Sequence, residues 1–474
     1  MADGTITLKS GGSAATVDVG PAFETTARVN LRTDIWADSV TIENTGSGSA
    51  VVNHRGSDHM TISADGNAGG ITIRNKSADN ATLVVGLTED QKDSGARVAV
   101  MDLITYGAPV IIENQDAAGT VMDIKNHGAI MMQMGNGIPA QITGNIFVDN
   151  GSQICLTIGG DGFVHADTLK LTNGSISDIE TFGTSTWSNR DGTGNTQAAA
   201  DGVGSILSMI AMGHSTINAD GVVSNGAVGG FHSDDYGIRN GDTTITGEGF
   251  AYDTRIPSES YTYINGHGQV NGNQYTKEGA KNTVYVMDDG TLTGNVVSDG
   301  VGKLDGTPSV TMVGSGANAV INGDLTASNS GTMTGLIMQK SVENGNVYAV
   351  SGGKVTYYLS GQDAQFPTLN GDFVSESGGS ITASMNGRWN GASTVSGGTT
   401  DVTFIDANAV WNVTRDSELT NFTQGAGTVN FPAAASGFTG TTVTVDGNYS
   451  SDGGAINMST VLPVSYTHLT LPTT

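Results

Sequence analysis

Gly323-Asp324-Leu325-Thr326-Ala327-Ser328-Asn329-Ser330-Gly331-Thr332-Met333 is the stretch on which the reading of the fold turns. It places a glycine, an acidic residue and an apolar one ahead of a polar interval, then a second glycine, a small polar residue and another apolar one. The same order returns in Gly371-Asp372-Phe373 with Gly379-Ser380-Ile381, and in Gly144-Asn145-Ile146 with Gly151-Ser152-Gln153-Ile154. Gly, Asn and Asp tolerate positive φ and turn the chain tightly. A unit this short cannot bury its own apolar face, so its recurrence predicts a solenoid in which neighbouring coils complete the core.

Short runs outside the repeat agree with this. Thr5-Ile6-Thr7-Leu8, Val40-Thr41-Ile42, Ile71-Thr72-Ile73, Val284-Tyr285-Val286, Val402-Thr403-Phe404 and Val443-Thr444-Val445 alternate with period two, the mark of half-buried strands. Clusters such as Asn44-Thr45-Gly46-Ser47-Gly48 separate them. The competing reading is a β-sandwich with glycine-rich loops, but a sandwich of this length would break into units of about 100 residues. No such breaks occur, and the expected class is all-β, a parallel β-helix.

Composition fits that architecture. Of 474 residues 69 are Gly and only 9 Pro, which excludes collagen and a Pro-rich disordered tail. Charged residues make up 14% of the chain, against roughly a quarter in ordinary domains. Coils stacked about 4.8 Å apart place like on like, so columns of Asp or Lys would repel, while Asn, Thr and Ser columns can hydrogen-bond along the stack. With about twenty residues per coil, the ordered part would form a rod on the order of 100 Å long. Lys+Arg 20 against Asp+Glu 46 gives a net charge of −26, which disfavours phosphate backbones, and no nucleic-acid partner is expected. The single cysteine, Cys155, excludes an intramolecular disulfide framework and a Cys-based zinc site. No apolar run reaches the length of a spanning helix. Met1-Ala2-Asp3-Gly4 is no secretory start, so either the protein is cytosolic or its N-terminus is missing.

From about residue 183 to 282 the Thr-apolar alternation weakens, and an irregular excursion from the helix is expected there. Ser205-Ile206-Leu207-Ser208-Met209-Ile210-Ala211-Met212 reads as a helix or a buried strand. Tyr236, Arg239, Tyr252, Arg255, Tyr261, Tyr263 and His267 gather in this segment, with Tyr275, His214 and His232. They form the candidate interaction surface, since Tyr, His and Arg give amphipathic contact area at low entropy cost. The plainer account is tyrosines packed against the side of the coils.

Near the C-terminus, Ala409-Val410-Trp411-Asn412-Val413-Thr414-Arg415-Asp416-Ser417-Glu418-Leu419-Thr420-Asn421-Phe422 has a Trp-x-Val-Thr-x-Asp-Ser-x-Leu-x-Asn signature. Gly427-Thr428-Val429-Asn430-Phe431, Val443 to Tyr449 and Gly453 to Thr460 follow it. In that order these segments resemble the end of pertactin-like passenger domains of type V autotransporters, the autochaperone segment. The match covers about 50 residues closely; over the preceding coils the likeness is compositional. The resemblance implies export from a Gram-negative cell, passage through the protein's own outer-membrane β-barrel, and folding outside as a right-handed parallel β-helix with an irregular excursion in the middle. A passenger threaded through a pore benefits from lacking disulfides. Trp411, Phe422, Phe431 and Tyr449, which emerge first, are the candidate folding nucleus.

Val464 to Thr474 abandons the Gly/Asn pattern, and back-translated it reads as a transposon sequencing adapter. The expected organisation is thus N-terminal coils over 1–182, an irregular or inserted region over 183–282, C-terminal coils over 283–408, an autochaperone-like segment over 409–462 and an adapter-derived scar over 463–474. An interrupted frame would account for the missing barrel.

Motifs that carry chemistry are few in this sequence. No Gly-Asp-Ser-Gly motif occurs, and Gly159-Gly160-Asp161-Gly162 is a single copy of a calcium-like repeat. His54 and His59 are read as turn residues rather than a metal pair. Asp234-Asp235 and Asp288-Asp289 are adjacent residues that would point to opposite faces of a strand, and are read as turns. No catalytic, cofactor or metal residue is assigned. The expected function is that of a non-enzymatic, surface-exposed or secreted passenger, an adhesin or cell-surface structural protein, monomeric, meeting a host-cell or neighbouring-cell protein or glycan. The alternatives are a β-helical polysaccharide lyase or hydrolase and a phage tailspike-like fibre.

Overall fold

The computed structural model describes residues 39–458 apart from 45–48, 56–58, 65–69, 77, 93–97, 106–107, 134–138, 302–306, 362–363 and 434–439; for 5–10, 14–19, 32–37, 44, 49–51 and 133 it describes the backbone alone. Residues 1–4 and the 463–474 segment lie outside the described residues, as do Ser459 and Thr460. The chain divides into two compact units, 1–313 and 314–474.

Each unit is a parallel β-helix whose coils contribute one strand to each of three sheets. In the first unit, one coil runs through Ile238–Asn240, Thr243–Thr246 and Glu259–Ile264, and the next through Gln269–Asn271, Gln274–Lys277 and Lys281–Val286. Each strand pairs in parallel with its counterpart in the next coil. In the second unit Val320–Asn322, Leu325–Ser328 and Thr332–Met338 pair likewise with Val342–Asn344, Val347–Val350 and Lys354–Ser360. No helix occurs among the described residues.

Asn344 lies 22 residues after its partner Asn322, and Asn271 lies 31 after Asn240. The longer interval holds an antiparallel hairpin, Glu248–Ala251 with Thr254–Pro257. This hairpin is the excursion expected in the middle of the chain, and it is narrower than 183–282. The other strands of that range stay in coil register, including Ile206–Met212, which is a strand. Asp235, Asp288 and Asp289 adopt left-handed backbone at corners.

The corner between the first and second sheets explains the Gly-Asn/Asp repeat. At Gly241, φ is 120°, and a Cβ would stand 2.2 Å from the Ala219 carbonyl oxygen of the preceding coil. Only glycine fits this approach. The Asp242 backbone N–H then donates to Asp220 Oδ1 at 3.1 Å, and that of Asn273 to Asp242 Oδ1 at 2.7 Å. Near the end of the first-sheet strands Asn side chains form a ladder, in which Asn322, Asn344, Asn370 and Asn390 precede the corner glycine while Asn412, Asn430 and Asn457 precede Val413, Phe431 and Met458. In the second unit Asn344, Asn370, Asn390, Asn412, Asn430 and Asn457 each donate from Nδ2 to Oδ1 of the Asn one coil earlier, beginning at Asn322, at 2.6 to 2.9 Å.

Inward positions stack into apolar columns. On the first sheet of the first unit, Ile142, Val164, Trp187 and Ile217 follow one another in register. The next member is Arg239, followed by Val270 and Leu292. In the second unit the equivalent column runs Ile321, Glu343, Leu369, Trp389, Trp411, Val429. Each of these two columns thus carries one ionisable residue where its neighbours carry aliphatic or aromatic side chains.

Candidate functional site

The third sheet of the first unit has an outward face built from Ile206–Met212, Val228–Asp234 and Glu259–Ile264. Leu207, Met209 and Ala211 point into the core with Phe231 and Ile264, so the alternate residues face out. In register, these form the columns Ile206–Val228–Glu259, Ser208–Gly230–Tyr261 and Ile210–His232–Tyr263, with Met212 beside Asp234.

A groove of about 630 Å³ lies on this face, with Ile206, Ile210, Met212, Gly230, His232 and Tyr261 in its lining. The floor is open because Ser208 and Gly230 leave a hollow beside Tyr261, which is 42% exposed. The neighbouring column is filled instead. The rings of His232 and Tyr263 meet edge-on at 5.7 Å, and those of Tyr263 and Tyr285 lie tilted by 41° at 5.1 Å.

The polar groups of the groove include both donors and acceptors. Asn265 donates from Nδ2 to Asp234 Oδ1 at 3.3 Å, while its own Oδ1 is buried without a partner. His232 Nδ1 accepts the Tyr263 backbone N–H at 3.2 Å, which leaves the ring proton on Nε2. Burial lowers the His232 pKa, with the Arg239 charge adding to the effect, so the ring is neutral at physiological pH. The Tyr261 hydroxyl donates to Glu259 at 3.0 Å, and that bond raises its pKa. Lys281 pairs with Glu259 at 3.0 Å.

Two features flank the groove. At the corner after the third sheet, His214, Tyr236 and His267 stack with ring centroids 5.0 and 4.8 Å apart, all three with left-handed φ of 67° to 69°. At the corner before it, the hairpin carries Tyr252 fully exposed and Arg255 over the Phe250 ring at 5.6 Å. Arg255 also faces Glu248 at 3.5 Å.

Of the seven residues expected at an interaction surface, Tyr261 and Tyr263 line the groove, Tyr236 and His267 form its corner, and Tyr252 and Arg255 sit on the hairpin. Arg239 is a correction: it is wholly buried inside the coils. Its guanidinium lies 4.4 Å over the Phe231 ring and donates to Thr243 Oγ1 at 2.9 Å and to the Ala219 carbonyl at 3.3 Å. Burial lowers its pKa to about 10 against the pull of Asp220 and Asp242. His232 is among the residues expected at the surface, whereas the sequence reads Ile206, Ile210 and Met212 only as part of a helix or buried strand and does not single out Asn265. The signal for the three apolar residues lay in Ser205 to Met212, where apolar residues occupy both faces of one strand.

In the second unit Trp411 is buried, with Phe422 beside it at 6.0 Å and Tyr449 at 5.8 Å from Phe422. Trp389, Phe373 and Tyr357 extend the same chain of rings. Phe431 is half-buried. Elsewhere His54 and His59 belong to the strands Ser49–His54 and His59–Ala64 and not to turns as expected; His54 is buried, His59 Nε2 meets Asp102 at 2.5 Å, and no group of three or more metal-ligating side chains occurs among the described residues.

Comparison with protein-family models finds no match, and comparison with curated proteins finds none either.

Proposed function

We propose that the protein is a non-enzymatic binding passenger, displayed at the cell surface of a Gram-negative bacterium or secreted, whose third-sheet groove in the first unit engages a molecule on a host or neighbouring cell. The observation that carries this reading is the groove itself: apolar side chains and an open tyrosine ring face outward on a sheet whose backbone groups are consumed by the coils on either side. Stacked coils hold such a face rigidly, so little entropy is lost on binding. The resemblance of Trp411 to Thr460 to an autochaperone segment supports the surface setting.

Beads coated with the protein and incubated with epithelial or Gram-negative cells test the reading. Retention on one cell type is expected, and loss of at least tenfold when Ile206, Ile210 and Met212 are all replaced by Ser. Absence of retention, or equal retention by a folded variant, contradicts it.

One observation favours the polysaccharide-cleaving alternative. Asp178 and Glu180 face outward two residues apart, in register with Ser208 and Ile210, and burial with the Asp178 charge raises the Glu180 pKa. Paired carboxylates of this kind cleave glycosidic bonds when one stays protonated. A reducing-end assay separates the readings: binding without new reducing ends is expected, and their appearance replaces the binding reading with the enzymatic one.

A further inference from the structure

The ligand chemistry can be read from what the groove lacks. Its lining contains no lysine or arginine, its one carboxylate is Asp234, and Asp178 and Glu180 border it on the preceding coil. Within that lining an anionic ligand would meet only like charge, the nearby Lys281 being paired with Glu259. The backbone offers nothing either, because each strand of the sheet is paired on both sides and no edge is open for an added strand. Recognition therefore falls to side chains, hydrogen-bond donors and acceptors alike, set beside apolar surface.

Three positions define the fit. In the Ser208–Gly230–Tyr261 column, the missing side chain at Gly230 leaves one face of the Tyr261 ring uncovered on the side of the preceding coil, a gap one coil spacing or about 4.8 Å deep. That is the thickness of one ring stacked on another. His232 Nε2, the nitrogen that carries the proton, lies 3.4 Å from where a Cβ of residue 230 would stand, so a donor faces the same gap. Four residues along the strand, about 13 Å away, stand the unpartnered Asn265 Oδ1 and the Asp234 carboxylate, whose Oδ1 already accepts from the Asp235 backbone N–H and from Asn265 Nδ2. One small ring cannot span that distance. A chain of two or three rings lying along the strand can.

We infer that the groove binds a neutral oligosaccharide, with one sugar ring stacked on Tyr261 over Gly230 and hydroxyls of a further ring donating to Asn265 and Asp234. A sugar combines the two properties that the surface asks for, an apolar C–H face and a ring of hydroxyl donors. Hydroxyls satisfy acceptors without charge, whereas sulfated or sialylated chains would be repelled. The inference rests on the groove being a binding face, and it names what that face takes.

The test is isothermal titration calorimetry of the full chain with malto-, cello-, manno- and galacto-oligosaccharides of one to six rings, with sialyllactose and a lysine-rich peptide as further arms. At least one neutral series is expected to bind, more tightly from one ring to three. Gly230→Trp, which fills the gap from an ordinary strand position, and Tyr261→Ala are each expected to weaken binding at least tenfold. Tyr252→Ala, on the hairpin, is expected to leave it unchanged. The inference is overturned if no neutral series binds, if sialyllactose or the peptide binds instead, or if a folded Gly230→Trp protein binds as the parent does. Should coated beads still adhere through the groove while every neutral sugar fails, the sugar assignment falls and the binding face stands. Should a neutral sugar bind while no cell type retains the beads, the sugar assignment stands and the cell-binding role falls.

Discussion

The Tyr357 hydroxyl donates to Glu343 Oε2 at 2.7 Å inside the second unit, and both side chains are wholly buried. Glu343 occupies the column position held by Ile321 and Leu369 in the adjoining coils, and its Oε1 has no partner. Burial pushes its pKa up to about 8, the Tyr357 bond opposes this, and the Asp324 charge adds to the rise. The same burial, with the Glu343 charge, drives the Tyr357 pKa well upward.

This pair makes stability pH-dependent in a defined direction. The folded chain keeps a proton that the unfolded chain releases above the ordinary value of 4.5. Stability is therefore complete below that pH, falls as pH rises towards about 8, and levels off above it. The fall should be on the order of a few kcal/mol. Urea unfolding of Glu343→Gln at pH 5 and pH 9 should show near parity with the parent at the lower pH and a clear gain at the higher. Parallel curves for the two proteins would exclude an ionisation penalty at this position.

The Trp389 and Trp411 indoles lie 4.3 Å apart with planes 8° from parallel, and their Nε1–H groups donate to the Gly371 and Gly391 carbonyls, each at 2.9 Å. Trp411→Ala should cost about 3–5 kcal/mol in equilibrium unfolding. With Phe422→Ala added, refolding of the C-terminal coils should slow, because solenoid folding propagates from a nucleus. A double variant that refolds at the parental rate would remove the nucleus role.

Asn390 donates to Asn370 and accepts from Asn412. An aspartate there can accept but not donate, and it sets a charge against the Asn370 oxygen. Asn390→Asp should lose about 1–2 kcal/mol at pH 7. Much of the loss should return near pH 3, where a protonated carboxyl donates again. A loss independent of pH would mean that the ladder bond contributes nothing.

The period-two runs and the Gly-Asn/Asp repeat made the coils legible in the sequence, because turn chemistry and alternation are local signals. Arg239 and Glu343 show where locality ends. In Ile238-Arg239-Asn240 and Val342-Glu343-Asn344 the alternation suggests that the aliphatic residue points inward, whereas the register with Ile217 and Val270, or with Ile321 and Leu369, turns the charged residue in. Phe231 over Arg239 and Tyr357 beside Glu343 make this tolerable, and both come from other strands. The groove was partly legible through Tyr261 and Tyr263. Its floor was not, since Gly230 matters only because Tyr261 follows it in the next coil.

Coil register is the claim on which groove, ladders and buried pairs all depend, and the sole cysteine offers a direct measure of it. Cys155 and Asp178 are opposite one another on adjacent parallel strands, within the Cα separation that a disulfide bridges. Under mild oxidation Asp178→Cys should form an intramolecular disulfide with Cys155, seen as a loss of two hydrogens by intact mass. Ser177→Cys, whose side chain points into the core, should not. A monomeric Asp178→Cys protein that keeps both thiols, or a bridge formed equally well from position 177, would contradict the stacked-coil register.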